Sequence, residues 1–522
     1  MSDLSRFCRC AWLLLNAGVM VLTVPAHAAE PSAQTQSETG STPPDQDRYP
    51  HPFDRAWLVG HALELSQQPF ALQELQSDSP LTNMDYDDYR RITFDRNAAI
   101  WARENRNFTI DLFHPGFLFK TPVLINLVVA GTSRRVLFTS DIFKYDEEVA
   151  QVKDASAPGY SGFRVYHPDM NTQRLIEFMV FQGASYFRAA GHDQYYGLSA
   201  RGIAINTARP VGEEFPYFTE FWIERPPVGA DKLVIHALLE SQSLTGAYTF
   251  TITKNEYTVM EVESDLFIRN TMDAYGIAPL TSMFLFDGTN RVRFDDYRPA
   301  VHDSDGLLIQ QSNQEQIWRP LANPVRLQVS AFTNTNPKGF GLMQRSRNFS
   351  DFDDPEAHYE KRAALWIEPL DDWGKGHVEL VEIPSDKEIN DNIVAYWQPA
   401  TPMLAGQTYG FRYRMYWGQQ APVTKAVGSI LNTSAGKVPD STEQLFVIDY
   451  STDTDITEAL KIDAQTSAGK VTDVSGHVVW ETGNYRLYLK IDPGDANLSE
   501  LQIRLSVNGK PWGETWLYRW TR

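Results

Sequence analysis

Cysteine is nearly absent from this chain of 522 residues, which contains only Cys8 and Cys10. Both lie within an N-terminal segment that has the pattern of a cleavable export signal. Removal of that segment leaves a mature chain without cysteine. Disulfides, thiolate catalysis and metal sites with cysteine ligands are therefore excluded.

The predicted signal covers residues 1–28. It begins with Arg6 and Arg9, continues with an apolar stretch over residues 11–24, and ends with Ala-His-Ala at 26–28. The small-x-small pattern predicts cleavage before Ala29. The apolar stretch is shorter than the roughly 20 residues that a spanning helix needs. Because the two arginines are not adjacent, the general secretory route is favoured over a twin-arginine route.

An excess of positive charge and a second long apolar run are also missing. The 66 acidic residues outnumber the 47 basic ones, for a formal net charge of −19, which argues against nucleic acid or an anionic membrane surface as a partner. The mature chain is expected to be soluble. The chain has no P-loop, dinucleotide fingerprint, HExxH or G-x-S-x-G motif, and its histidines lack ligand spacing. We therefore predict neither a cofactor nor a metal.

The pattern along the chain predicts an all-β protein with two domains. Residues 29–48, rich in Ser, Thr, Gln and Pro, predict a disordered spacer, and apolar spacing predicts a helix over 53–81. Short β-branched and aromatic runs bounded by turn residues then predict strands. The clearest of these strands before residue 399 lie at 108–113, 123–129, 135–138, 233–239, 247–252 and 257–262.

A break at 398–402, Gln-Pro-Ala-Thr-Pro, separates the two strand-bearing regions. Beyond it, strands are predicted at 408–417, 445–450, 478–481, 485–491 and 501–507. We predict a large β-sandwich over 49–399, followed by an immunoglobulin-like sandwich over 400–522.

Polar residues in strongly apolar or aromatic surroundings are the best candidates for chemistry. They occur in the segments 213–216, 302–306, 318–321 and 388–392. Two carboxylates on separate loops of a β scaffold are what glycoside hydrolysis requires, one to protonate the leaving oxygen and one to activate water. The alternative is that such aspartates only form turns.

Longer stretches of the chain resemble one known family. These stretches are LFHPGF (112–117), GASYFRA (183–189), YGLSARGIAI (196–205), GEEFP (212–216), TGAYTF (245–250), GIAPLTSMF (276–284), YRPAVHDSDGL (297–307), IWRPLANP (317–324), GFGLMQR (339–345), WGKGHVELVEIP (373–384) and NDNIVAYW (390–397). On them the chain resembles the periplasmic glucan biosynthesis proteins of Gram-negative bacteria, of the G and D type. The likeness runs from about residue 49 to 418, in the family's order.

The resemblance implies a mutarotase-like sandwich joined to a smaller immunoglobulin-like domain, and a periplasmic role in making osmoregulated glucan with a β-1,2-linked glucose backbone. Members of the family are similar to glycoside hydrolases that cut β-1,2-glucan internally with inversion. A transglycosylase forming branched or cyclic glucan, or a non-catalytic glucan-binding protein, remains an alternative. The implied partners are the glucan and the membrane glucan synthase, and a homodimer is compatible with the resemblance. The secretory signal leans only slightly toward the G type.

The resemblance also implies roles for single residues. The family's general acid falls on Asp391 and its general base on Asp303, with Tyr359 and Glu388 at assisting positions. In the family the base reaches the attacking water through a relay of water and substrate hydroxyls. Apolar neighbours and a nearby carboxylate would raise the pKa of Asp391, as a general acid requires. Asp305 is the rival for the role of base.

Further residues are predicted to support the site. Arg319 and Arg345 are expected to bind sugar hydroxyls or pair with the carboxylates, and His302 to contact the base. Trp318, Trp373 and Tyr196 are candidates for stacking on sugar, although a residue of this kind more often belongs to the core. The chain departs from the family's usual pattern at 314–316, 363–364 and Ile389, which bears on rate and specificity more than on fold.

Overall fold

The computed structural model of the protein describes residues 50–452 and 460–522. The predicted signal (1–28) lies outside the described residues, as does the predicted spacer (29–48). Within the described ranges, no helix has both the length and the apolar character that crossing a membrane requires.

Two short α-helices precede most of the strands, α1 (Arg55–Ser66) and α2 (Tyr86–Tyr89). Asp54 caps α1 by accepting a hydrogen bond from the backbone N–H of Trp57 at 2.8 Å. The helix predicted over 53–81 was too long, because α1 ends at Ser66. Pro69 follows, and a residue that precedes proline disfavours helical geometry. The apolar residues beyond it lie in irregular backbone.

The rest of the described chain is built mainly from β-strands, which confirms the predicted all-β class. The strands are β1 (His51–Pro52), β2 (Ile92–Phe94), β3 (Thr109–Phe113), β4 (Leu124–Val129), β5 (Thr132–Arg135), β6 (Phe143–Tyr145), β7 (Gly162–Pro168), β8 (Leu175–Gln182), β9 (Phe187–Ala189), β10 (Ser199–Ala200), β11 (Ile203–Ile205), β12 (Tyr217–Glu224), β13 (Lys232–Glu240), β14 (Leu244–Lys254), β15 (Thr258–Ile268), β16 (Tyr275–Ser282), β17 (Phe284–Phe286), β18 (Val301–His302), β19 (Gly306–Gln310), β20 (Gln316–Pro320), β21 (Gln328–Thr335), β22 (Gly339–Met343), β23 (Ala364–Pro369), β24 (Lys375–Glu382), β25 (Ile393–Pro399), β26 (Thr408–Gly418), β27 (Ile430–Lys437), β28 (Gln444–Tyr450), β29 (Lys461–Thr466), β30 (Lys470–Val478), β31 (Tyr485–Asp492), β32 (Leu498–Val507) and β33 (Lys510–Thr521).

These strands form two large sheets, one four-stranded sheet and two strand pairs. The fifteen-stranded sheet has the order β1-β5-β4-β12-β13-β14-β15-β26-β23-β22-β19-β20-β33-β32-β29. The ten-stranded sheet has the order β21-β24-β25-β16-β10-β9-β8-β7-β3, with β11 attached to β16. The remaining strands pair as β27-β28-β31-β30, β17-β18 and β2-β6.

The main core lies between the two large sheets. Phe163 and Phe181 of the ten-stranded sheet meet Phe221 and Phe250 of the other sheet, with ring centroids 5.1 to 5.3 Å apart. All four side chains are buried. Aromatic pairs at this spacing contribute about 0.5–1.5 kcal/mol each beyond their area burial. The large sheets therefore pack face to face as a sandwich.

The pairing of β26 bears on the domain boundary. This strand, predicted to belong to the C-terminal region, lies between β15 and β23 of the fifteen-stranded sheet. The boundary at 399/400 stays a prediction, and the pairing favours a later position. The predicted strand at 478–481 was wrong beyond Val478, because the chain turns there around Gly483, whose φ is +73°. The predicted strand at 135–138 was likewise wrong beyond Arg135, where β5 ends.

One face of the ten-stranded sheet carries a row that includes three charged side chains. In the registers of β3, β7, β8 and β9, Asp111 lies opposite Arg164, Arg164 opposite Val180, and Val180 opposite Arg188. Because strand side chains alternate between faces, these residues share the face that points away from the Phe163 and Phe181 positions. This outer face holds one side of the candidate site.

Candidate active site

Asp391 lies in the loop over 383–392, which joins β24 to β25. Its neighbour Asn392 is 2% exposed and fixes the end of the loop. The Asn392 side chain donates to the carbonyls of Phe284 (2.9 Å) and Ile383 (3.0 Å) and accepts from the N–H of Phe284 (2.9 Å). Because three bonds orient one amide, the backbone that carries Asp391 is held in place.

The carboxyl group of Asp391 is largely buried beside an arginine. Its Oδ2 lies 3.5 Å from Nη2 of Arg188, whose Nε donates to the Ser199 hydroxyl at 2.6 Å. Burial raises the pKa of Asp391 to about 6, with Arg188 and Arg201 lowering it and Asp303 raising it further. A carboxyl group with such a pKa is partly protonated near neutral pH, as a general acid must be.

Asp303 lies between β18 and β19 and is 4% exposed. Its backbone N–H donates to the carbonyl of Met283 at 2.9 Å. Its Oδ1 is 3.4 Å from Nε of Arg362 but has no hydrogen-bond partner among the described residues. An ionised carboxylate with an unused lone pair can accept a proton from water or from a sugar hydroxyl.

The carboxylate of the rival base, Asp305, is occupied by hydrogen bonds from the segment that follows β22. Its carboxylate accepts from the backbone N–H groups of Arg345 and Ser346 (2.8 Å to Ser346) and from the Ser346 hydroxyl at 3.0 Å. Nε2 of His302 is 3.4 Å from Asp305 Oδ1, so His302 contacts the rival carboxylate. This difference in occupancy favours Asp303 as the base.

The strand pair β17–β18 connects the two aspartate loops. The backbone of Phe284 in β17 binds the side chain of Asn392, and Phe284 also pairs with His302 in β18. Each of these partners is the immediate chain neighbour of a candidate catalytic aspartate. The separation of the two carboxylates is therefore set by a short stretch of rigid sheet rather than by independent loops.

Tyr359 and Glu388 meet at the same site. The Tyr359 hydroxyl donates to Oε2 of Glu388 at 3.4 Å, and Nη1 of Arg298 lies 2.8 Å from that oxygen and 2.7 Å from Asp354 Oδ2. Burial, followed by the charges of Asp303 and Glu388, raises the pKa of Tyr359 well above its usual value. The phenol thus stays a hydrogen-bond donor.

The other predicted site residues make contacts within the protein. Arg319 and Glu382 form a fully buried ion pair at 3.0 Å, and Arg345 pairs with Glu514 at 2.7 Å. Trp318 packs under the Arg345 guanidinium at 3.6 Å, and Trp373 is buried against other aromatic rings. The polar groups of the two arginines and the faces of the two tryptophans are thus occupied within the protein.

Sequence reasoning missed the arginines that contact the carboxylates. Arg188 approaches Asp391, Arg362 approaches Asp303, and Arg298 holds Glu388. Arg188 and Arg298 lie in the matching stretches GASYFRA and YRPAVHDSDGL, which was the available signal. Arg362 Nη1 also donates to the carbonyl of Tyr196 at 2.5 Å, which brings that predicted residue near the candidate base.

A group with the geometry of metal ligands lies elsewhere. Ligand atoms of Asp169, His192 and Asp193 fall within 4.8 Å of one another. Oδ1 of Asp169 already accepts from the N–H and hydroxyl of Thr172, each at 2.7 Å. Neither Asp391 nor Asp303 belongs to this group.

Comparison with known proteins shows the family to which the chain belongs. The family model described as "Periplasmic glucan biosynthesis protein, MdoG" matches residues 53–520. The chain belongs to this family. The resemblance inferred from the sequence stretches is therefore confirmed.

Curated relatives of this MdoG family member carry the name "Glucans biosynthesis protein G". The one from Shewanella frigidimarina is 44% identical over 475 residues, covering 90% of this chain and 85% of the relative. The one from Vibrio cholerae serotype O1 is 42% identical over 473 residues, covering 90% and 87%. The one from Shewanella baltica is 41% identical over 512 residues, covering 96% and 92%.

Proposed function

We propose that this protein acts in the biosynthesis of periplasmic glucan by cutting linear β-1,2-glucan internally, with inversion at the anomeric carbon. One observation supports the proposal most. Two aspartates lie on separate loops, the charge of Asp303 adds to the rise in the pKa of Asp391, and burial holds Asp391 partly protonated near neutral pH. This acid and base pairing is the requirement of inverting hydrolysis. The periplasm, where the glucan is made, is the proposed location.

In the proposed reaction Asp391 donates its proton to the glycosidic oxygen as the bond to the anomeric carbon breaks. Asp303 accepts a proton from water through a relay of water and substrate hydroxyls, and the water attacks the opposite face of the sugar. The Tyr359 hydroxyl is placed to hold a substrate oxygen or a relay water. Arg188 stabilises the carboxylate that Asp391 becomes.

The membrane glucan synthase is the proposed source of the nascent chain, and a homodimer stays a prediction. Transglycosylation and glucan binding without cleavage are the competing functions. All three functions require a glucan-binding cleft, so products rather than affinity distinguish them.

The deciding experiment incubates the protein with linear β-1,2-glucan and follows the products by NMR and mass spectrometry. We expect shorter linear oligosaccharides whose new reducing ends first appear in the α-anomeric form, since inversion of a β-linkage gives that anomer. Branched or cyclised products would indicate a transglycosylase. Binding without any product would contradict both enzyme functions.

The pH dependence of turnover follows from the acid. Because Asp391 must be protonated to donate, kcat is expected to fall as pH rises through about 6, where burial places its pKa. Replacing Arg188 by Met removes a charge that lowers this pKa and should shift the descending limb to higher pH. Measuring kcat of both proteins on linear β-1,2-glucan from pH 4 to 9 tests the direction of this shift. A descending limb at the same pH in both proteins would contradict the prediction.

A further inference from the structure

The loop that carries Asp303 is tied to the segment that follows β22. The Asp305 carboxylate accepts from the backbone N–H groups of Arg345 and Ser346 and from the Ser346 hydroxyl. Asp305 lies two residues from Asp303 and directly before β19. The position of the candidate base therefore depends on where Arg345 is held.

Arg345 is held by a residue near the C-terminus. Its Nη1 and Nη2 donate to the two carboxylate oxygens of Glu514 on β33, at 2.8 and 2.7 Å. Glu514 is 2% exposed, and its Oε2 also accepts from the N–H of Ile430 at 2.8 Å. A bidentate contact of this kind fixes the orientation of a guanidinium as well as its distance.

The Arg345 guanidinium also lies 3.6 Å above the ring of Trp318. Trp318 is on β20, which pairs in parallel with β33 so that Trp318 lies opposite Trp516. The aromatic ring and the carboxylate that confine Arg345 thus come from neighbouring strands of one sheet. A cation over an indole ring and bonded to a buried carboxylate has little freedom to move.

We infer that Glu514 is a positioning residue for the base Asp303, acting through Arg345 and Asp305. The inference rests on the proposed hydrolase function and deepens it. Glu514 touches no reacting atom in this scheme. It gives the C-terminal strands a part in catalysis, because the last strand of the large sheet fixes the geometry of a loop in the candidate active site.

The test compares Glu514→Gln with Glu500→Gln in the full chain. Glu500 on β32 forms an exposed ion pair with Arg519 at 2.6 Å and serves as the matched control. A glutamine at 514 keeps the size of the side chain but cannot bind Arg345 through two charged oxygens. We expect kcat on linear β-1,2-glucan to fall about 10- to 100-fold. KM should stay within about twofold, and the control should be unchanged.

A double substitution separates positioning from a general loss of stability. If Glu514 acts through Arg345, adding Glu514→Gln to Arg345→Gln should lower kcat no further than Arg345→Gln alone. Arg345→Lys, which keeps one charged contact, should have a kcat between those of Arg345→Gln and the wild type. Independent, multiplying effects, or a Glu514→Gln enzyme with kcat within about twofold of the wild type, would overturn the inference.

Amide hydrogen exchange tests the same point without turnover. The peptide over 301–306 should exchange faster in Glu514→Gln than in Glu500→Gln or the wild type. Because this readout needs no activity, it remains decisive even if the wild type proves not to cleave glucan. Equal exchange in all three proteins would overturn the inference regardless of the enzyme assay.

Discussion

Asp391→Asn is expected to lower the rate of cleavage of linear β-1,2-glucan by about 10²- to 10⁴-fold, the usual contribution of a positioned general acid. Asparagine has nearly the same shape and can still meet Arg188, but it has no acidic proton to give to the leaving oxygen. Turnover of wild type and variant, measured as reducing ends released, checks the prediction. Glucan affinity should change little, since binding does not require the proton.

The same variant should be more stable than the wild type at neutral pH. Burial raises the pKa of Asp391 from 3.8 to about 6, so ionising it in the folded protein costs about 3 kcal/mol at most. This cost is absent below pH 4, grows between pH 4 and 6, and is complete above that range. Thermal midpoints of both proteins at pH 4 and pH 8 test this: the variant should have the higher midpoint at pH 8 and not at pH 4.

For the activity prediction, an Asp391→Asn variant that retains full activity would show that Asp391 is not the general acid.

Arg319→Met is expected to destabilise the protein by about 3–5 kcal/mol, because it leaves the carboxylate of Glu382 buried without its partner. Arg319 and Glu382 are essentially inaccessible to solvent, and the ion pair spans 3.0 Å. Urea unfolding at pH 7 measures the effect. The matched control is Arg412→Met, which breaks an exposed pair with Asp371 and should leave the unfolding midpoint nearly unchanged.

The loss of stability in Arg319→Met should depend on pH. Burial raises the pKa of Glu382 and Arg319 lowers it, so removing the arginine raises that pKa further. The destabilisation should therefore shrink as pH falls and the carboxyl becomes neutral. A variant with normal stability but a raised KM for glucan would instead support the sugar-binding role that the sequence suggested for Arg319.

The class of the fold could be predicted from the sequence because apolar and polar residues alternate along many of the strands. The sequence could not separate Arg319 or Trp318 from surface residues. All five residues of their strand, β20, are buried, so the strand has no polar face whose period would show where each side chain points. The helix over 53–81 was overextended for a related reason, since Leu72 and Leu75 keep helical spacing after the helix has ended.

The site was predictable only where family resemblance supplied it. Asp391 and Asp303 came from matching stretches, and local chemistry alone left them as turn residues. Their arginine neighbours depend on contacts that no local pattern encodes, since Arg188 and Asp391 are 203 positions apart. Such a contact follows from strand order in the ten-stranded sheet, which a single sequence does not reveal.

The parallel pairing of β20 with β33 also affects the order in which the protein folds. Strand pairs formed between distant parts of a chain assemble slowly, and β33 is the last strand in chain order. Until it arrives, β20 is an open edge able to pair with other chains, and Arg345 has no carboxylate to bind. A partly made chain thus lacks both the partner strand of β20 and the carboxylate that holds Arg345 near the candidate base. The hydrolysis proposed for this protein would therefore depend on a late step of folding, the pairing of β33 with β20.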